Sequence, residues 1–298
     1  MAKPARLNVQ GLSRRLRPLM TTLVARPGHT FVSVDLSSGE PTVTTHFSQD
    51  KYYFAATFGM VGKAPYYDAQ GVLMIDDIYL MGMSVSPMGK DLMREVSTRT
   101  FTAKDGKTPL SFAEKWLEDK EYIQKSVLAV ERPFHKILIL GLGYSMGPKH
   151  MVEAAYKAGY ELSLADAKAF FEAYWKLFSG VKTLGKSLQA RFKRLGYLVN
   201  PFGYRLVPDK DYKALNYFIQ SSVSGVMNVL CAKFFAIAPY ARFVTIIHDE
   251  LITEVPDDKL EEVRIAMDKA VDSLNNDLKW SVNIRTGWAV GKSLYEAK

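Results

Sequence analysis

Two short apolar runs, remote from one another in the chain, each stop at a carboxylate. Phe31-Val32-Ser33-Val34 follows a Pro27-Gly28 turn signal and ends at Asp35, which predicts a strand. Residues 242–254 read RFVTIIHDELITE. This is an apolar strand, the polar triplet His248-Asp249-Glu250 and a second apolar stretch, the pattern of a β-hairpin with three polar groups at its tip. The chain between them is mostly of helical period. Pro41 suits the first turn of a helix that continues through Val43 to Phe47. The aromatic-rich segment 51–67 reads as mostly helical, and Asp76-Asp77-Ile78-Tyr79 opens another helix through Met83. Segment 84–120, with Pro87, a turn at Lys104-Asp105-Gly106-Lys107 and scattered charge, reads as an insertion with a surface loop and no chemistry. Segment 131–147, ERPFHKILILGLGYSMG, predicts a helix with Pro133 in its first turn. Residues 149–195 read as helical throughout, with a cap at Ser163 and a stop at Ser179-Gly180. A β-hairpin at 196–207, a long helix at 213–236, an amphipathic helix at 257–278 and a closing strand at 280–285 complete the prediction. At the start, 7–23 mixes arginines with Leu12, Leu16, Leu19 and Leu23 at partly helical spacing.

Composition narrows the class. The 298 residues are 48% apolar and 23% charged, an ordinary globular balance long enough for two lobes. The net charge of +8 favours a polyanionic partner. A single cysteine, Cys231, rules out an intramolecular disulfide and a Cys-cluster metal site. The first 30 residues carry five arginines and no acid. They lack an apolar stretch of signal-peptide length and are taken as part of the mature fold. No uninterrupted run approaches the roughly 18 apolar residues needed to span a membrane.

The candidate chemistry lies where the pattern breaks. If the strands at 31–34 and 242–254 are neighbours in one sheet, Asp35 and Asp249 face each other. Two such carboxylates need a cation, and hard oxygen ligands suit Mg²⁺. Sites that transfer phosphoryl groups with two metals hold them roughly 3.5–4 Å apart. On the helix at 131–147, Arg132, Lys136, Leu140 and Tyr144 are spaced four apart and share a face. Cation, cation, apolar, aromatic is an order that suits a nucleoside triphosphate lying along the helix, phosphates at the N-terminal end and base at the other. A core helix with two snorkelling cations is the bland alternative, and a turn role suffices for either aspartate alone. Their occurrence together, in this order, favours the chemical reading. Asn216 and Gln220 share a face of the long helix and can reach groove acceptors common to all base pairs. Arg205, near the turn of the 196–207 hairpin, reads equally as a nucleic-acid contact or a solvated charge.

With these residues in view, the chain resembles the catalytic half of a family A DNA polymerase, the polymerase I-like group of bacteria and many phages. Asp35-Leu36-Ser37-Ser38-Gly39-Glu40 resembles the family's DYSQIE motif, Arg132, Lys136, Leu140 and Tyr144 its R-x3-K-x3-F/Y-x3-Y fingers helix, and His248-Asp249-Glu250 its HDE. Fainter matches are Leu7-Asn8-Val9-Gln10 for NLQN, 174–181 for YF-x-x-YPGV, 196–208 for GYV…GRR…P, and 291–297 for the terminal G-x-N-W-x-x-A. The resemblance implies an α+β fold: a palm with an antiparallel sheet built from both chain ends (1–50 and 195–298) and a helical fingers lobe between them (51–194), without thumb or exonuclease domain. It implies template-directed DNA synthesis from dNTPs on primer–template DNA with two Mg²⁺ ions, for which Mn²⁺ can substitute. Asp35 and Asp249, with the Leu36 carbonyl, would hold the metals. Arg132 and Lys136 would take the triphosphate, Lys136 also assisting the pyrophosphate leaving group. Tyr144 would back the nascent base pair, Glu40 would reject a 2′-hydroxyl, and Ser37, Ser38, Leu140 and Tyr79 would complete the nucleotide site. Arg205, Asn216, Gln220 and His248 would contact DNA, with Glu250 an accessory acid. Departures from the family pattern are Leu140 for an aromatic ring, Ser38-Gly39 for Gln-Ile, Pro41-Thr42 for Leu-Arg, Tyr79 for the DIH histidine, Tyr204 for Arg and Ser145 for Gly.

The similarity begins near Leu7, which leads to the expectation of a split phage-type polymerase whose second chain supplies the thumb, the 3′–5′ exonuclease or both. The expected location is the cytoplasm, that of the bacterial host for a phage protein, with no membrane partner. Three competing readings stand beside this one: a catalytically silent DNA-binding subunit, a single-subunit RNA polymerase, opposed by Glu40, and a Mg²⁺-dependent nuclease, which leaves the 132–144 face without a role.

Overall fold

The computed structural model describes residues 17–297. The expectations for 7–16, including the Leu7-Asn8-Val9-Gln10 motif, lie outside the described residues. A 3-10 turn at Arg17–Thr22 precedes strand β1 (His29–Leu36), and helix α1 (Gly39–Ser48) follows it. Asp50 caps the single turn α2 (Lys51–Phe54), its carboxylate accepting the Tyr52 and Tyr53 amides. The helix expected over 51–67 does not continue. A π-helical turn at Ala55–Gly59 gives way to a small antiparallel pair, β2 (Tyr66–Tyr67) and β3 (Leu73–Met74). The physical reason is local: Gly62 takes a left-handed φ of 70° and Pro65 removes a donor.

Helix α3 (Ile78–Val85) starts on Asp77, which accepts the Tyr79 and Leu80 amides. Segment 84–120, expected as an insertion with a surface loop, is largely regular structure around that loop. It holds α4 (Lys90–Thr98), a two-residue hairpin of β4 (Phe101–Thr102) and β5 (Pro109–Leu110), and α5 (Phe112–Tyr122), the last opened by a Ser111/Glu114 capping box. Met93, Val96, Phe112 and Trp116 bury its inner faces, at the three- and four-residue spacing of amphipathic helices. The exposed Lys104-Asp105-Gly106-Lys107 turn forms the hairpin tip as expected.

Helices α6 (Glu131–Gly143), α7 (Pro148–Lys157), α8 (Leu164–Leu177) and α9 (Ser179–Leu195) come next. Ser163 caps α8 by accepting the Asp166 amide, and Gly196, at φ 73°, ends α9. The hairpin of β6 (Leu198–Val199) and β7 (Arg205–Leu206) leads into α10 (Ala214–Ile237). The chain finishes with β8 (Arg242–Ile247), β9 (Glu250–Pro256), α11 (Leu260–Leu278) and β10 (Thr286–Gly291). The closing strand is thus 286–291, not 280–285. Asn275 on α11 accepts from the Ile284 amide (2.7 Å) and donates to the Ile284 carbonyl (3.0 Å), so a side chain, not a strand partner, satisfies that backbone.

The chain divides into two compact units, one formed by the ends of the sequence up to Val43 and from Gln220, the other by Thr44–Ile219. The first holds an antiparallel sheet in the order β10-β1-β9-β8. The pleat puts Val32, Val34 and Leu36 of β1 on one face with Leu251 and Val255 of β9, all buried. On the other face Phe31, Ile252 and Ile247 pack with Met20, Leu294 and Ala297. The second unit is helical around Leu80, Met81, Met83, Leu138, Leu142, Phe170, Tyr174 and Phe178. In it α3 packs against α4, α6 and α8. Residues 211–237 form a helix long and apolar enough by composition to cross a membrane, but half of its most apolar window is buried within the protein. Cys231 lies on it, and burial pushes its thiol up to about 11, which makes it packing rather than a reactive group.

Candidate active site

In the sheet unit, β1 and β9 are antiparallel neighbours. Asp35 stands opposite Glu250 on one side and Gly287 on the other. Asp249 lies one residue further out: the Leu36 amide donates to its carbonyl at 3.0 Å. Remote in sequence, Asp35, Asp249 and Glu250 therefore meet at one end of the two central strands. The residue directly across from Asp35 is Glu250, not Asp249. β8 and β9 are joined by the two-residue turn His248-Asp249, with Ile247 paired to Glu250. So short a turn needs a positive φ, and His248 supplies it at 59°. Asp35 and His248 are exposed, while Asp249 and Glu250 are half-buried. Ser33 lies on the same face as Asp35 and donates its hydroxyl to Glu250 Oε1 at 2.6 Å, which gives the half-buried carboxylate a fixed partner.

The turn after β1 carries the next candidates. The Ser37 amide donates to the Arg285 carbonyl at 2.8 Å. Ser38 is left-handed, at φ 59°, and its carbonyl accepts the Thr42 amide (2.9 Å) and hydroxyl (2.8 Å). That reversal throws Glu40 into the first turn of α1, where the helix N-terminus favours its negative charge.

Among the described residues no group of three or more His, Cys, Asp and Glu side chains is arranged to hold a metal. The strand-end set is leaner, two aspartates and a backbone carbonyl. An oxygen-only set of this kind fits Mg²⁺, which is held by one or two carboxylates and completes its shell with water and phosphate oxygens. Asp35, Asp249 and the Leu36 carbonyl thus have the right chemistry for the ion.

The helical unit carries the second cluster, on α6. His135, Leu138, Ile139 and Leu142 face the core, which turns Lys136, Leu140 and Tyr144 outward, the last two 41% and 47% exposed. Arg132 joins them from the first turn. Its Nε donates to Asp77 Oδ2 at 2.7 Å, and its guanidinium lies 5.1 Å from the Tyr79 ring centre. Lys136 Nζ is 5.7 Å from the same ring. Arg132, Lys136 and Tyr79 are therefore brought together. Burial first and the Asp77 charge second raise the Tyr79 hydroxyl above its ordinary range, against the opposing pull of Arg132. At neutral pH it remains a donor. At buried Gly141 an added Cβ would lie 2.6 Å from the end of the Met146 side chain, and Gly143 is exposed.

Arg205 is exposed on β7, its guanidinium 4.0 Å from the centre of the Tyr197 ring. On α10, Asn216 is half-buried and Gln220 exposed, and the same stripe continues through exposed Ser224 and Asn228 at four-residue spacing. Sequence reasoning passed over three residues: Asn228, Ser33 and Asp77. For Asp77 the signal was present, an acidic residue before a helix, but its pairing with Arg132 is tertiary.

The model of DNA polymerase family A matches residues 112–296, well over half of the chain, and the chain belongs to that family. Among curated proteins it is similar to the DNA polymerase of Mycobacterium phage D29, 32% identical over 133 residues, which cover 43% of this chain and 21% of the relative. It is similar to the Mycobacterium phage L5 DNA polymerase, 35% identical over 125 residues (40% and 19%). It is also similar to DNA polymerase I of Aquifex aeolicus, 27% identical over 156 residues (50% and 27%). The matches span about a fifth to a quarter of those proteins' length. Among solved structures, the POL domain of Pol1 from M. smegmatis, in complex with DNA primer-template and dNTP, superposes with a TM-score of 0.68 at 17% identity. That match covers 97% of this chain and 45% of the other. At that identity the likeness is one of fold, an α+β polymerase domain.

Proposed function

We propose that this chain is the catalytic core of a template-directed DNA polymerase that joins a dNTP to a primer 3′-hydroxyl. The sheet unit is its palm and the helical unit its fingers. The observation that carries the reading is the register of β1 on β9, which sets Asp35 and Asp249 on neighbouring strand ends. The α6 face adds the complementary chemistry, cations beside a tyrosine donor.

In this reading Asp35, Asp249 and the Leu36 carbonyl would hold two Mg²⁺ ions, which would supply acidification of the primer hydroxyl and neutralisation of charge on the phosphoryl group. Lys136 and Arg132 receive the triphosphate, the exposed ammonium of Lys136 balancing charge on the departing pyrophosphate. The Tyr79 hydroxyl donates one hydrogen bond to the phosphates, and Ser37 and Ser38 line the nucleotide site. Tyr144 offers its ring to the nascent pair, with Leu140 beside it on the sugar side. Glu40 occupies the space a ribose 2′-hydroxyl would need. Arg205 and His248 grip the duplex backbone, and the Asn216–Gln220 stripe tests groove geometry without reading sequence. Glu250, held by Ser33, serves as an accessory acid. The proposal includes a second chain supplying thumb or 3′–5′ exonuclease, and a place of action in the bacterial host's cytoplasm; co-purification with a tagged chain tests the former.

The test is primer extension with dNTPs and Mg²⁺, repeated with Mn²⁺ and with chelator. Template-directed extension that chelation abolishes supports the reading. Duplex binding without extension, even with co-encoded proteins added, would favour a silent DNA-binding subunit. Preference for rNTPs would favour an RNA polymerase.

A further inference from the structure

We propose that Asp77 is a positioning residue that sets the Arg132 guanidinium for the triphosphate of the incoming nucleotide. The proposal rests on reading Arg132 as a phosphate contact. The Asp77 side chain is 2% exposed, and its two oxygens are divided between two tasks. Oδ1 accepts the Tyr79 and Leu80 amides at 2.9 and 3.1 Å, the cap of α3. Oδ2 accepts Arg132 Nε and Gln124 Nε2, both at 2.7 Å. The two amide bonds fix the carboxylate plane, so the direction of Oδ2 is fixed too. A buried carboxylate needs a counter-charge, and Arg132 provides it.

The bond at Nε constrains the guanidinium along one edge, and the Tyr79 ring lies 5.1 Å from it. Among the described residues, the two terminal nitrogens carry no other acceptor, which leaves four N–H donors for a phosphate. A side chain held in this way reaches its ligand with its rotamer freedom already spent, which strengthens binding.

Two variants separate this role from the cap. Asp77→Asn keeps one oxygen for the α3 amides but turns an amide nitrogen toward the Arg132 N–H. Asp77→Ser keeps a capping hydroxyl and removes the carboxylate altogether. Equilibrium dissociation constants for dATP and dAMP are measured with Mg²⁺ on a dideoxy-terminated primer–template, alongside Arg132→Ala, Arg132→Lys and Gln124→Ala. Expected is an approximately tenfold weaker dATP constant in both Asp77 variants, with dAMP affinity and the melting temperature of the Ser variant little changed. Gln124→Ala stays within about twofold, and Asp77→Asn adds no more than about twofold to Arg132→Ala, because the two changes remove one interaction.

Unchanged or tighter dATP binding in both Asp77 variants, while Arg132→Lys weakens it, would overturn the positioning role and leave the reading of Arg132 intact. Full additivity with Arg132→Ala would overturn it too. No loss of dATP affinity in either Arg132 variant, or no dATP binding by the natural chain, would overturn the reading of the site and the proposal together.

Discussion

Gly39 stands where the resembling family motif carries isoleucine, and the structure gives a physical reason for the difference. A Cβ at this buried position would lie 3.3 Å from Leu36 Cβ and 3.3 Å from Val223 Cγ1. Val223 is itself 7% exposed and fixed on α10, so neither neighbour is a loose chain end that can swing away. Gly39→Ile adds four carbons to a filled space, and overpacking of this kind costs roughly 1–3 kcal/mol. The gain in helix propensity over glycine returns only about 0.5 kcal/mol. For a chain of this size that is a fall in Tm on the order of 1–4 °C. Val223→Ala alone loses about 1–2 kcal/mol of buried methyl contact. Together the two changes exchange one filled volume for another, and the account predicts a double variant less destabilised than the sum of the singles by at least about 1 kcal/mol. Thermal melts and urea titrations of the four proteins measure this cycle. Gly39→Ile melting at or above the natural chain, or strict additivity in the double variant, would refute the idea that Val223 occupies the missing side chain's place.

Other expectations are as direct. His135 is buried, its Nδ1 2.8 Å from the Glu131 carbonyl and its Nε2 3.2 Å from the Ser86 hydroxyl, and burial pushes its pKa below the usual histidine range despite the opposing pull of Glu131. Its contribution to stability is therefore full above about pH 6.5, where the unfolded chain is also neutral, and is lost as pH falls through the folded value. Partly buried His46 shifts in the same direction. The urea midpoint should fall between pH 7.5 and 5.5, and His135→Gln should shrink that fall; an equal fall in the variant would exclude His135 as a source. Arg205→Ala should weaken duplex binding evenly across sequences and reduce the salt slope by about 1, whereas an unchanged slope removes Arg205 from the interface. Glu40→Ala should raise rNTP use relative to dNTP on the order of 10–100-fold, and an unchanged ratio would assign sugar selection elsewhere.

The apolar runs at 31–34 and within 242–254, each broken by a carboxylate, predict a strand and a hairpin, three strands in all, and, given neighbourhood, a shared strand end. The register of β8 on β9 depends on the two-residue turn that His248 makes possible with its positive φ, and that of β1 on β9 pairs strands remote in sequence; neither is written in the local pattern. The α6 face was legible because cations and apolar residues there keep a strict four-residue spacing. Asp77 was visible as a residue opening a helix, but its bond to Arg132 joins positions 55 apart in sequence, beyond the reach of local patterns. The helices of segment 84–120 are not announced by its sequence because its apolar residues are few: Met93 with Val96 and Phe112 with Trp116 are enough to bury two short helices but too sparse to mark them. The closing strand expected at 280–285 forms at Thr286–Gly291 instead, because Asn275 competes successfully for the Ile284 backbone.

The central claim is that Asp35 and Asp249 act as one site. The measurement that meets it most directly is single-nucleotide primer extension by the natural chain, Asp35→Asn and Asp249→Asn, with folding and duplex affinity measured in parallel. The account predicts extension by the natural chain and a loss of at least roughly a thousandfold in each variant, with the melting temperature and duplex affinity retained. Extension at comparable rates in either variant would contradict it.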